Sequence, residues 1–191
     1  MTDKQLFNGR DMGGWQMLGR SGFSVEDGLL VTEGGMGLLW YEREPFGNAL
    51  LRAEYRVSRE EDNSGVFVRI DGKPEDVWHA VHRGYEVQIL ATDDAYHRTG
   101  CIYSLTTAPV GVQLPPGEWN VLEIALHGEE TDVTLNGTLM TTLGPDTDVP
   151  PQAFPYEPER GPRPETGYIG LQNHDGDSVV AFREVSVGPL P

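Results

Sequence analysis

Apolar residues in this chain recur at every second position, in runs too short for anything but strands. Leu51, Ala53, Tyr55 and Val57 alternate with Arg52, Glu54 and Arg56. Tyr85, Val87 and Ile89 alternate with Glu86 and Gln88, and Leu122, Ile124 and Leu126 repeat the pattern. No segment carries an apolar 3.6-residue period over the length of a helix. Turn chemistry breaks the runs: there are 24 glycines and 14 prolines, and Asp27-Gly28 and Asn136-Gly137 are two-residue hairpin signals. Ten or more short strands of this kind predict an all-β sandwich or barrel. A length of 191 residues suits one domain spanning 1–191. Within it, residues 71–83 read as an insertion whose backbone state the pattern leaves open, with a short helical turn opened by Pro74-Glu75-Asp76 as one option. Cys101 to Leu105 reads as a short strand, and Gly144 to Pro164 as a long loop.

Charge and motifs narrow the function. Thirty acidic residues against 14 basic ones give a net charge of −16, which repels nucleic acid and anionic membranes, so neither is expected as a partner. The single cysteine, Cys101, excludes an intrachain disulfide. The opening Met-Thr-Asp-Lys-Gln lacks an apolar leader, which predicts a cytoplasmic protein, or a secreted or periplasmic one if the chain has been trimmed. No G-x-G-x-x-G follows a strand, so no nucleotide cofactor is expected, and neither G-x-S-x-G nor H-E-x-x-H occurs. A divalent cation, calcium or manganese, is an open expectation, with Asp93-Asp94 and residues 175–177 as oxygen donors. Nothing in the sequence points to an oligomeric state.

The second faces of the strands are unusual. Arg52, Glu54, Arg56, Phe67, Arg69, Glu86 and Gln88 all fall opposite apolar neighbours. On adjacent strands they would form one face carrying both charge signs beside an aromatic ring. Carboxylate and guanidinium groups exchange bidentate hydrogen bonds with vicinal hydroxyls, and an aromatic face covers the C–H side of a pyranose, so such a face suits a small carbohydrate. The alternative is a plain solvated face with charges paired across strands.

The motifs L-F-N-G-R-D-M-G-G-W (6–15), N-S-G-V-F-V-R (63–69), G-Y-E-V-Q-I (84–89), T-G-C-I-Y (99–103), P-G-E-W-N (116–120) and G-Y-I-G-L-Q-N-H (167–174) occur in this order. As an ordered set they resemble the bacterial 3-keto-disaccharide hydrolase domain family. The resemblance implies a concanavalin A-like jelly roll of two antiparallel sheets, related to lectins and glucanases. It also implies cleavage of a 3-keto-glycoside, by hydrolysis or by β-elimination and hydration. The chain departs from the family in placing its acidic pair, Asp93-Asp94, several residues after Q-I. A 3-keto group acidifies the hydrogen at C2, so the reaction needs a base near C2, help at the keto oxygen and an acid for the leaving group. On this basis Glu86 is the first candidate base. His174 is a candidate acid, base or metal ligand, and Arg69 a stabiliser of the enolate oxygen. Gln88, Glu54, Arg52, Asn63, Tyr103, Trp78 and His82 are candidate substrate contacts. The competing reading is a non-catalytic carbohydrate-binding module of the same fold. Glu86 has no sequence-local mate of the kind a retaining glucanase needs.

Overall fold

The computed structural model describes residues 3–190. The alternating segments become strands in two antiparallel sheets packed face to face, a jelly-roll sandwich of the concanavalin A type. In chain order the strands are β1 (Lys4–Gln5), β2 (Trp15–Gly19), β3 (Phe23–Glu26), β4 (Leu29–Thr32), β5 (Gly37–Tyr41), β6 (Ala49–Val57) and β7 (Ser64–Ile70). A helix, α1 (Val77–Arg83), precedes β8 (Tyr85–Ile89). Then come β9 (Asn120–His127), β10 (Glu130–Leu135), β11 (Thr138–Leu143), β12 (Tyr168–Asn173) and β13 (Val180–Gly188). One sheet runs β11-β10-β9-β6-β13-β4-β3, with β1 added on β13; the other runs β2-β5-β12-β7-β8.

The hairpins form where the turn residues require. Asp27 and Gly28 have φ of 48° and 82°, and Asn136 and Gly137 have 49° and 79°; these left-handed pairs match the strand twist. The apolar halves of the strands, among them Leu51, Tyr55, Val66, Val87, Leu122 and Phe182, fill the space between the sheets. A second apolar cluster lies outside the five-stranded sheet, where Leu38, Trp40, Phe67 and Ile70 pack against Ala80 and Val81 of α1. The insertion therefore does form a helix. Asp76 is its N-cap, accepting from the His79 backbone N–H at 2.9 Å.

Two sequence expectations need correction. Residues 101–105 do not form a strand; only Ile102 bridges to Val87. Beyond that bridge the Leu105 and Thr106 N–H groups both donate back to the Ile102 carbonyl, and Ser104 takes φ 62°, so the chain curls instead of extending. The second concerns β7. Its ladder with β12 shifts between Tyr168 and Gly170, so Val68 and Arg69 together oppose Ile169, and Arg69 adopts φ 53°. The bulge breaks the alternation, sending Ile70 to the α1 side with Phe67 and turning Arg69 away from it.

Candidate functional site

Strand pairing builds a polar patch on the α1 side of the five-stranded sheet. Phe67 lies opposite Glu86 on β8 and Gly170 on β12, and Gly170 lies opposite Trp40 on β5. Gly65 likewise lies opposite Gln88 and Gln172, and Gln172 opposite Leu38. Two rows result, Trp40–Gly170–Phe67–Glu86 and Leu38–Gln172–Gly65–Gln88, all on one face. Residues 100–103 run beside β8: the Tyr103 N–H donates to the Glu86 carbonyl at 2.8 Å and the Gln88 N–H to the Cys101 carbonyl at 3.0 Å. That pairing extends the Glu86 row to Tyr103.

Glu86 is the exceptional group. It is 6 % exposed, and its Oε1 is buried without a hydrogen-bond partner. Burial alone pushes its pKa up to about 8, with no nearby charge contributing. Gly65 makes room for it, because a Cβ there would collide with Oε1; the carboxyl thus lies across the strand toward the row-mate Gln172. Gln172 Oε1 and Trp40 Nε1 are also buried without partners. Two acceptors and one donor are thus withheld from water on one face. Each such group costs about 1–3 kcal/mol until something satisfies it, which marks the patch as a place for a polar ligand. At pH 7 Glu86 holds its proton. The Gln88 amide donates to Asn63 Oδ1 at 3.0 Å. Burial, reinforced by the charge of Glu86, pushes the Tyr103 phenol up to about 12, which keeps it a hydrogen-bond donor.

The other sequence candidates are placed as follows. Asn173 pairs with Ser64, so His174 and Asn63 stand at one end of the sheet, beyond Gln172 and Gln88. Four residues of rise and two strand spacings put the His174 backbone roughly 17 Å from that of Glu86. His174 is half exposed and its Nδ1 contacts Asp175 Oδ2 at 3.1 Å. It and Glu86 therefore do not form a hydrogen-bonded pair. Trp78 and His82 lie on α1, their rings stacked 6.0 Å apart, and His82 Nδ1 sits 3.2 Å from the Glu157 carbonyl.

Arg69, Arg52 and Glu54 do not join the patch. All five Arg69 N–H groups are committed: Nε donates to Thr131 Oγ1, Nη1 to the Pro164 and Glu165 carbonyls, and Nη2 to those of Gly128 and Glu130. The bulge has made it a tie from β7 to β10 and the neighbouring loops. Arg52 and Glu54 belong to β6, in the other sheet. There Arg52 bridges Glu54 and Glu184, Glu54 also binds Arg183, and Arg183 and Arg56 lie over the Trp119 ring at 4.4 and 4.9 Å. The single mixed face expected from alternation is thus divided between two sheets. Two clefts, of about 480 and 450 Å³, lie elsewhere and include none of the patch residues; Asp93 lines the first.

No three His, Cys, Asp or Glu side chains among the described residues are grouped to hold a metal ion. Asp94 accepts from the Tyr96 N–H and contacts His97, and Asp175 accepts from the Asp177 and Ser178 N–H groups, so both carboxylates are engaged in their own turns. Sequence reasoning missed Gln172 and Trp40. Gln172 had a signal: Gly170 and Gln172 alternate with buried Ile169 and Leu171, the same signature as Glu86 and Gln88. Trp40 had none, because β5 is apolar on both faces.

Comparison with known proteins adds the family. The profile described as "3-keto-alpha-glucoside-1,2-lyase-like domain" matches residues 2–188. No curated protein shows a significant match. Among solved structures, two Parabacteroides distasonis ATCC 8503 proteins assigned by inference as glycosyl hydrolases superpose closely. One has TM-score 0.81 at 25 % identity, covering 100 % of both chains; the other has 0.79 at 22 %, covering 99 % of this chain and 94 % of its own. A Bacillus subtilis protein of unknown function with a galectin-like fold gives 0.68 at 11 % identity, covering 97 % of each chain, a likeness of fold alone.

Proposed function

The chain belongs to the 3-keto-alpha-glucoside-1,2-lyase-like domain family, and on that premise we propose that it cleaves the glycosidic bond of a 3-keto-glycoside on the Glu86 face. The reaction is β-elimination across C1 and C2. Glu86 accepts the C2 proton made acidic by the 3-keto group, and the C–H electron pair forms the enolate. Collapse of the enolate restores the ketone, forms C1=C2 and expels the leaving-group oxygen from C1; that oxygen takes the Tyr103 hydroxyl proton and leaves as the alcohol, and the phenolate recovers a proton from the water that adds next. Addition of water across C1=C2 releases the free keto sugar, so the sum is hydrolysis.

The observation that carries this reading is the state of Glu86: a carboxyl buried without a counter-charge, with a free oxygen and a pKa near 8. A base is most effective when its pKa lies near the working pH, and the raised pKa makes Glu86 a stronger base than an ordinary carboxylate. Tyr103, in the same row, and Trp40 Nε1 supply donors for the developing oxyanion or the departing oxygen. Gln172 and Gln88 hold hydroxyls, and Asn63 and His174 serve the outlying ones. A two-carboxylate glycosidase mechanism fits less well, since no second carboxylate lies close enough to affect Glu86.

The test compares a 3-keto-disaccharide with its unoxidised parent, using wild type and Glu86→Gln. Wild type turns over only the keto sugar, with deuterium at C2 of the product in D2O, and the variant loses about 10²–10⁴-fold. Equal rates for the two proteins would sink the assignment of Glu86. Binding of the keto sugar without turnover would instead favour a carbohydrate-binding module.

A further inference from the structure

The loop from Gly144 to Pro164 has no strand or helix of its own, yet it is tightly held. Arg160 donates to the carbonyls of Pro150 and Pro158 at 2.9 and 2.6 Å, to Ser104 Oγ at 3.2 Å and to Glu157 Oε2 at 3.0 Å. Arg163 donates to the His82 and Gly84 carbonyls at 2.8 and 3.2 Å, which joins the loop to the end of α1 and the start of β8. The buried Glu157 carboxylate accepts from the Ala153 N–H at 2.9 Å, closing the loop on itself.

This pinned segment holds two aromatic rings out to solvent. Phe154 and Tyr156 are 52 % and 50 % exposed, and they stack with centroids 5.1 Å apart and planes within 5°. Phe154 lines an open cleft of about 570 Å³ with His82, Gln152 and Glu159. Behind His82 stands the half-exposed Trp78. The loop reaches the Glu86 row through Tyr103, whose backbone N–H donates to the Glu86 carbonyl at 2.8 Å. Ser104, the anchor of Arg160, directly follows Tyr103.

We propose that Phe154 and Tyr156 form the leaving-group subsite, a platform for a neutral ring with a flat apolar face on the far side of the scissile bond. Rigid, exposed, stacked rings suit such a face because ordering them has been done by the loop rather than by the ligand. Glu157 and Glu159 beside the platform disfavour an anionic group there. An aryl aglycone and a second pyranose present the same flat chemistry, and the substrates below tell them apart. This inference rests on the reading of Glu86 as the base at C2.

The test uses three 3-keto-glucosides that share the keto sugar and differ in the leaving group: methyl, phenyl and glucosyl. The double variant F154A/Y156A is compared with wild type. The variant is expected to lose about tenfold more kcat/KM on a ring-bearing substrate than on the methyl glycoside. Selective loss on the phenyl substrate identifies an aryl aglycone, and selective loss on the glucosyl substrate a sugar. Equal losses on all three, or none, overturn the platform. If wild type turns over none of them, the elimination reading fails by itself, and the same glycosides are titrated calorimetrically. Weaker binding of only the ring-bearing ligands to the variant still supports the platform; unchanged binding, or no binding of any ligand, overturns it.

Discussion

Replacing Glu86 by Gln should stabilise the protein and disable it at once, and the size of the first effect follows from burial. An unfolded chain ionises this carboxyl at the ordinary value of 4.5, whereas the folded protein holds it neutral up to about 8. Between those values the native state binds a proton that the unfolded state does not, so stability falls as pH rises through this window and levels off above about 8. Below 4.5 both states are protonated and the group contributes nothing. At 1.36 kcal/mol per pH unit the full window amounts to about 5 kcal/mol, and local relaxation and water entry reduce it, so about 2–5 kcal/mol is expected. Gln has the shape of the neutral acid but never ionises. The variant should therefore match wild type at pH 4.5 and exceed it by about 2–5 kcal/mol at pH 9. Urea unfolding of both proteins at pH 4.5, 7 and 9 measures this, and the other carboxylates cancel in the difference. A wild-type-to-variant difference that does not change with pH would refute the reasoning, because it would mean that Glu86 is solvated or paired.

Three further outcomes follow from the same geometry. The kcat/KM for a 3-keto-glycoside should rise with pH through an apparent pKa of about 8 as Glu86 loses its proton; a flat profile from pH 5 to 9 would count against it as the base. Gln172→Leu removes the neighbour across Gly65 and should lower kcat/KM by about 5- to 100-fold while displacing that pH profile, whereas a purely structural role would leave the profile in place. Arg69→Ala leaves five acceptors without their donor and should destabilise the fold by about 3–5 kcal/mol in urea unfolding; a loss under 1 kcal/mol would show that water replaces the tie.

The family's presence on this chain and its chemistry meet at a small number of side chains, and their arrangement explains why the patch has to be built at the middle of a sheet. Gly65 and Gly170 sit in central strands, where the missing side chains leave room that the Glu86 carboxyl and the Leu38 and Trp40 side chains fill. A Cβ at Gly65 would displace the carboxyl, so Glu86 reaches its place only because its cross-strand neighbourhood was emptied.

Alternation is a local property, and so the sequence by itself determined the strands, the Asp27-Gly28 and Asn136-Gly137 hairpins, and the shared face of Glu86 and Gln88. Of the insertion helix only the opening at Pro74-Glu75-Asp76 was legible, since a cap acts within one turn; its extent, Val77–Arg83, was not. What alternation cannot carry is the identity of the neighbouring strand. Arg52 and Glu54 have the same local pattern as Glu86, yet long-range pairing put β6 in one sheet and β8 in the other. The bulge at Arg69 likewise depends on β12, a hundred residues later in the chain, and it converted an expected stabiliser of the enolate oxygen into a tie between sheets. The raised pKa of Glu86 is also tertiary: it comes from residues distant in the chain that exclude water from the carboxyl without bringing a positive charge to offset the burial.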